Sequence, residues 1–230
     1  MGIKYNISNF YKRLINVIKY LVLFIVMIAI ILPLYAVVVG SLKSGRDFLN
    51  SNAFALPKSI HIENYKEALI QWKMLMGFTN TSVVIIFSCL GTVITSTMTA
   101  FILQRFKSTL GNYVKALFAI ATLLPSISMQ VTIFQTINSV HLRDNILAPI
   151  LLYIGADIIS IGIFIQFLNN IPESIDECAF IDGASYPKIF SRIIFPQLKP
   201  AINIVVIIKA VFIYNDFFTP KLYLPSQEHA

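Results

Sequence analysis

The sequence predicts an all-α protein that crosses a lipid bilayer several times. Two observations carry that prediction. Hydrophobic residues make up 57% of the chain and charged residues only 13%, with a mean hydropathy of +0.74, far outside the range of soluble domains. Five apolar stretches also reach the roughly 20 residues a spanning helix needs, since a bare backbone finds no water inside lipid.

The first stretch, residues 17–40, follows a basic N-terminus (Lys4, Lys12, Arg13, Lys19) and so has the outline of a secretory signal. The apolar run is too long for one and no small-residue cleavage site follows, so it reads as a retained span. The connector 41–77 contains NYKEALIQW, which predicts a short amphipathic helix at the membrane interface anchored by Tyr65 and Trp72. The second span, 78–103, carries Asn80 at its outer end and a stripe of Ser88, Thr92, Thr95, Ser96 and Thr99, which reads as small-residue packing between helices. The third, 113–137, contains Gln130 and Gln135 and an expected kink at Pro125. The fourth, 149–169, holds Asp157 and the fifth, 200–220, holds Lys209. A charge at mid-depth costs roughly 2.5–3.5 kcal/mol or more, so each calls for a partner or a wet face. Asp157 and Lys209 either pair across the bundle or, with Asn80 and Gln130, line a polar pathway.

Between the last two spans lies the polar stretch from Pro172 to Pro196, PESIDECAFIDGASYPKIFSRIIFP. Glu173, Asp176 and Glu177 crowd the start of a predicted short helix, where acidic groups favour the positive helix end, and Pro172 is able to open it. Gly183 breaks that helix. A second is expected from Ser185, with Pro187 in its first turn and Ile189, Phe190, Ile193 and Ile194 as its apolar stripe, until Pro196 ends it. A helix, a glycine and a second helix form a compact docking surface.

Lys and Arg are counted by side to orient the chain. With the N-terminus inside, residues 1–19, 104–115 and 171–199 contribute four, three and three, against five, one and one for 41–77, 138–148 and the tail. The excess sets the N-terminus and the 171–199 loop in the cytoplasm of a multi-pass cell-membrane protein. The net charge of +7 sits beside apolar runs, where basic groups meet anionic lipid head groups. No basic stripe with interleaved aromatics lies outside them, so nucleic-acid binding is not expected. Cys89 and Cys178 fall at different depths, which argues against a disulfide and against a zinc site. His61, His141 and His229 fall in connectors and the tail and are expected in solvent. The residues suggest no metal and no cofactor.

The loop resembles the fingerprint of the inner-membrane permeases of binding-protein-dependent ABC importers: E-A-A, three residues, G, nine residues, I, any residue, L-P. Here Glu177, Cys178 and Ala179 stand for E-A-A, followed by Gly183, then Ala184 to Arg192, then Ile193, Ile194, Phe195 and Pro196. Cys178 for alanine and Phe195 for leucine depart from the pattern while keeping an apolar character. The runs IDGAS (181–185), KPAI (199–202), YNDFFTP (214–220) and LPKSIHIENY (56–65) and the AFILQRF exit of the second span look like the carbohydrate branch, its second permease type in particular.

That resemblance implies a type I ABC importer permease fold and a single transmembrane permease domain over 1–230. The implied partners are cytoplasmic ATPase subunits, a second permease subunit, an extracytoplasmic solute-binding protein touching 41–77 and 138–148, and membrane lipid. It also implies an ATPase-coupling set of Glu177, Cys178, Ala179, Asp182, Gly183, Ala184, Ile193 and Pro196. Small Cys178 and Ala179 would let the helix seat closely in an ATPase groove, and Glu177 and Asp182 would accept hydrogen bonds there. Separately, an intramembrane Asp157 facing the pathway would accept hydrogen bonds from sugar hydroxyls. The chain contains no G-x-x-x-x-G-K-[ST] phosphate cradle, so it is expected not to be an enzyme and to take its ATP chemistry from a separate subunit. The family carries six spans and this chain stops ten residues after Pro220, so the expectation is a permease lacking its last transmembrane helix. The alternatives are an ABC permease for another small solute such as an amino acid or peptide, a truncated remnant without function, and a self-powered secondary transporter.

Overall fold

The computed structural model describes residues 2–70, 74–123, 126–155 and 157–226, and side chains except those of 2–11, 126 and 127. Trp72, the Pro125 kink, His229 and the Lys4 side chain lie outside this set. The described elements are helices, as the composition predicts, and the chain divides into two compact units, 1–74 and 75–230.

The first unit opens with α1, Gly2–Ser41. An 18-residue stretch within Lys12–Ser41 has a mean hydropathy of 3.1 and is almost entirely uncovered by protein, as a lipid-facing helix would be. The connector after it is ordered by polar contacts. Asn64 donates through Nδ2 to the carbonyls of Ser41 and Lys43 (both 2.8 Å), and Tyr65 shares a 2.6 Å hydrogen bond with Ser41. Buried Lys43 donates to Ser51 Oγ (2.9 Å) and the Asn52 carbonyl (2.8 Å). Ser44 caps α2, Gly45–Asn50, and α3, Glu63–Ile70, is the predicted amphipathic helix, with no buried residue.

The second unit centres on α4, Met74–Arg105, an 18-residue stretch of which has a mean hydropathy of 1.9 and is nearly half covered by protein. Its serine and threonine stripe divides. Ser88, Thr92 and Ser96 are buried, and Thr92 donates to the Tyr153 carbonyl at 3.3 Å, whereas Thr95 is exposed and bonds its own helix at Gly91. Gly91 permits a close approach, since a Cβ there would stand 2.3 Å from Ile154 Cδ1.

The region of the predicted third span contains two helices, α5, Thr109–Ala121, and α6, Ser126–Ser139. The predicted fourth covers α7, Leu147–Ile154, and α8, Ile158–Leu168, whose axes differ by 42°. By length and composition two described helices suffice to cross a membrane, or up to four if each bent pair counts as one.

The loop forms α9, Ser174–Ile181, and α10, Tyr186–Ile189. A π-helical turn, Phe190–Ile194, then leads into α11, Phe195–Gln197. Pro196 was expected to end the second helix and does not. The wider π turn, in which the Phe195 amide bonds the Phe190 carbonyl, places Pro196 in the first turn of α11, where its missing N–H costs no helical bond. The fold ends with α12, Lys199–Asn215, which meets the preceding helices at 72°, and α13, Phe218–Tyr223.

One core joins the loop to the helices around it. Ala100, Phe101 and Leu103 of α4 and Phe164 and Leu168 of α8 cluster with Ile189, Ile194, Leu198 and Val205. The apolar stripe predicted for the second loop helix is thus the face buried against the bundle.

Candidate functional site

The loop is assembled from its own turn chemistry. Glu173 stands at the N-cap of α9 with Asp176 and Glu177 in the first turn. At the other end Gly183 has φ +80°, a left-handed conformation that glycine adopts without steric cost. The Ala184 amide reaches back to the Ala179 carbonyl at 3.0 Å, closing the helix in a Schellman turn.

This geometry divides the eight coupling candidates. Ala179, Ala184 and Ile193 are half-buried against the main core. Glu177, Cys178, Asp182, Gly183 and Pro196 are exposed. Beside them stand exposed Phe180, Ile181 and Tyr186, with the Phe180 and Tyr186 rings 5.6 Å apart. An acidic, partly aromatic face is therefore presented outward, and its apolar members were not among the candidates read from the sequence.

The loop is held by the end of α4. Arg105 Nε lies 2.6 Å from Asp176 Oδ2, with both side chains largely buried, and Arg105 Nη2 donates to the Ile171 carbonyl at 3.0 Å. Lys107 pairs with Glu173 at 3.0 Å in a solvent-exposed setting, and Gln104 bonds Asn169. Burial pushes the Asp176 carboxyl above its ordinary value, with Arg105 pulling against it. Sequence reasoning missed this clamp; the signal available was AFILQRFK, a basic cluster at a helix end.

Deeper in the bundle, Lys209 Nζ and Asp157 Oδ2 form an ion pair at 2.7 Å. Asp157 is also the N-cap of α8, accepting from the Ser160 amide at 3.1 Å, so the pair sits at the break between α7 and α8. It borders a cavity of about 180 Å³ shared with Ser160 and Ile163. Asn80 and Gln130 do not join it. Asn80 lines a cavity of about 80 Å³ with Tyr153 and Asp216, and Gln130 lines one of about 900 Å³ that also reaches Tyr153 and Asp216.

Asp216, inside the YNDFFTP run, links these cavities and was given no role of its own from the sequence. Its Oδ2 accepts from Tyr153 Oη (2.9 Å) and Thr219 Oγ1 (2.6 Å), and its Oδ1 accepts from the amides of Phe218 (2.9 Å) and Thr219 (3.1 Å). It caps the break between α12 and α13 and ties both to α7.

The 75–230 unit is thus a set of discontinuous helices carrying an acidic helical elbow. The family model described as the binding-protein-dependent transport system inner membrane component matches residues 91–227. The chain belongs to this family. It is therefore a multi-pass membrane permease component. Among curated relatives, the probable starch degradation products transport system permease protein AmyC of Thermoanaerobacterium thermosulfurigenes is 32% identical over 217 residues, which cover 92% of this chain and 78% of that protein. The melibiose/raffinose/stachyose import permease protein MelC of Bacillus subtilis is 29% identical, covering 89% and 74%. The multiple sugar-binding transport system permease protein MsmG of Streptococcus mutans is 30% identical, covering 90% and 75%. In fold, the permease is similar to a chain from the crystal structure of a bacterial ABC transporter involved in the import of the acidic polysaccharide alginate, with a TM-score of 0.84 at 20% identity over 94% of this chain and 76% of that one.

Proposed function

We propose that this permease is the membrane half-pore of an ATP-driven carbohydrate importer. It pairs with a second permease subunit, receives sugar from an extracytoplasmic solute-binding protein, and is driven by ATPase subunits docked on the 171–199 loop. The N-terminus and the loop lie in the cytoplasm, and the five apolar stretches serve as spans. The carbohydrate assignment is supported by the relatives, whose names specify starch products, raffinose-type sugars and multiple sugars.

The observation that carries the coupling role is the outward face of α9 and the Gly183 turn. Exposed Glu177, Cys178, Phe180, Ile181 and Asp182 stand on a helix whose other side is bound to the bundle through Ala179 and Arg105. A push on such a face reaches α4 directly, because interdigitated cores transmit displacement with little compression. Charge-assisted hydrogen bonds from Glu177 and Asp182 to basic groups on a partner would contribute roughly 1.5–3 kcal/mol each.

The native cysteines supply the test. Cys178 is exposed and Cys89 buried, so a membrane-impermeant maleimide reports on the loop alone. Labelling of Cys178 is expected in inside-out vesicles and not in right-side-out vesicles, and bound ATPase subunits should slow it. Labelling from the outer face would overturn the proposal.

A further inference from the structure

The connector of the first unit does not run from α1 straight into solvent but returns along it. A Cβ on Gly40 would stand 3.2 Å from Phe48 Cε2, so the Phe48 ring of α2 lies against the last turns of α1. The chain then passes Lys43, whose ammonium donates to the Asn52 carbonyl at 2.8 Å. It reaches Tyr35, whose hydroxyl donates to the Phe54 carbonyl at 3.3 Å. Tyr35 stands six residues before the end of α1 at Ser41, about 9 Å back along the axis at 1.5 Å per residue. Phe54 lines a hollow of about 310 Å³ together with Ile28, Ile31, Leu32 and Tyr35 of that helix.

The length of the span sets the depth of this contact. The 30 residues of Lys12–Ser41 extend about 45 Å, against roughly 30 Å of hydrocarbon. A hydrocarbon core of roughly 20 residues that starts after Arg13 ends at Pro33, and one that starts after Lys19 ends at Val39. Leu32 lies inside the core in both placements. Phe54, beside it, is therefore level with the edge of the hydrocarbon or below it.

The tip suits that level. Residues 53–57 are Ala53, Phe54, Ala55, Leu56 and Pro57, without a charge, and the first four are exposed, Leu56 at 73%. Lipid cannot satisfy backbone polar groups, and here they turn inward. The Phe54 amide donates to Asn52 Oδ1 at 3.1 Å and the Ala55 amide to the Asn52 carbonyl at 3.0 Å. The Phe54 carbonyl is taken by Tyr35, and Pro57 has no N–H to satisfy. Lys58 follows at once, exposed, with its amide on the Asp47 carboxylate at 3.2 Å, and an ammonium there meets lipid phosphates.

We infer that residues 53–57 form a membrane-inserted tip in the leaflet at the C-terminal end of α1, with an acyl chain filling the hollow beside Phe54 and Lys58 at the phosphates. The partner is the bilayer itself. Such a tip fixes the height of α1, since sliding the helix outward would lift Phe54 and Leu56 into water. The inference concerns the connector and is independent of the importer reading.

The chain has a single tryptophan, Trp72, so Leu56→Trp in a Trp72→Phe background makes position 56 the reporter. The full permease chain is reconstituted in phosphatidylcholine nanodiscs, with and without lipid brominated near the head of its acyl chains. Insertion to roughly 5–10 Å should give blue-shifted emission, at least about 2-fold quenching by the bromines and little quenching by iodide. Phe54→Trp in the same background should report the same. The wild-type chain, photolabelled by a lipid with an acyl-chain diazirine, gives a readout without substitution, with adducts expected within 53–57 as well as on α1. Emission quenched by iodide and not by bromine places the tip in water and overturns the inference. Protection from both quenchers means that a protein surface covers the tip and overturns it equally, as does labelling of α1 alone.

Discussion

The Asp157–Lys209 pair offers the sharpest test of how the bundle is held. Its two side chains are 13% and 12% exposed and its charged atoms 2.7 Å apart, so neither group has much water to fall back on. Removing one partner of such a pair costs about 3–5 kcal/mol because it leaves the other charge uncompensated. The adjacent cavity of about 180 Å³ admits some solvation, which favours the lower end, about 3 kcal/mol or roughly a 150-fold change in the folding equilibrium. Asp157→Asn isolates the charge, since an asparagine still accepts from the Ser160 amide as an N-cap, and Lys209→Met keeps the length and apolar volume of the stem. Each single variant should lose about 3 kcal/mol in unfolding by mixed micelles of dodecyl sulfate, followed by circular dichroism. The double variant should recover to within about 1–2 kcal/mol of the wild type, because two opposite charges and their desolvation are removed together. A double variant that loses the sum of the two singles would refute the pairing.

Gly183→Asp should leave the protein inserted but abolish the substrate-stimulated ATPase of the reconstituted importer. No atom lies within 4 Å of a Cβ there, so the penalty comes from forcing φ +80° on a side-chain-bearing residue, about 1–2 kcal/mol; unchanged stimulation would remove the turn from the coupling path. Gly91→Val should destabilise by about 1–3 kcal/mol through collision with Ile154 Cδ1 and Cγ1, and Ile154→Ala in the same chain should restore part of the loss in the same micellar assay. Arg105→Met should accelerate hydrogen exchange of residues 172–181 about 30-fold, as expected when a local opening becomes easier by about 2 kcal/mol. It also removes the group that pulls the Asp176 carboxyl down, so the folded-state pKa rises further above the unfolded one. The folded loop then holds its proton more tightly than the open loop, and its protection should fall as pH rises through that window. Protection that does not change with pH, once intrinsic exchange is divided out, would count against burial of the Asp176 carboxyl.

The loop was legible because its determinants are close in sequence. Gly183 announces a left-handed turn, Pro187 sits in the first turn of α10, and Ile189 and Ile194 reveal the buried stripe by their spacing. Asp157 and Lys209 stood out because charge inside an apolar run is costly and so attracts notice. Pro196 misled because its local rule, that proline ends a helix, gave way to a π turn that shifted the bonding pattern before it. Arg105 and Asp216 went unassigned for the opposite reason. Nothing beside Arg105 in the chain marks Asp176 as its partner, and the Asp216 carboxylate is explained only when Tyr153 arrives from another helix.

Hydrophobic length, charge placement and turn chemistry are properties of contiguous residues, so the sequence by itself determined the membrane class, the helical character, the elbow between the fourth and fifth apolar stretches and the family. Which way each polar side chain points depends on how helices distant along the chain rotate and dock, and that only the tertiary structure decided. It turned Ala179 inward and Glu177 outward, matched Asp157 with Lys209, and separated Gln130 from both by placing it on a different cavity. Burial of non-local partners, summed over many weak contacts, selects one packing among several that the local pattern permits.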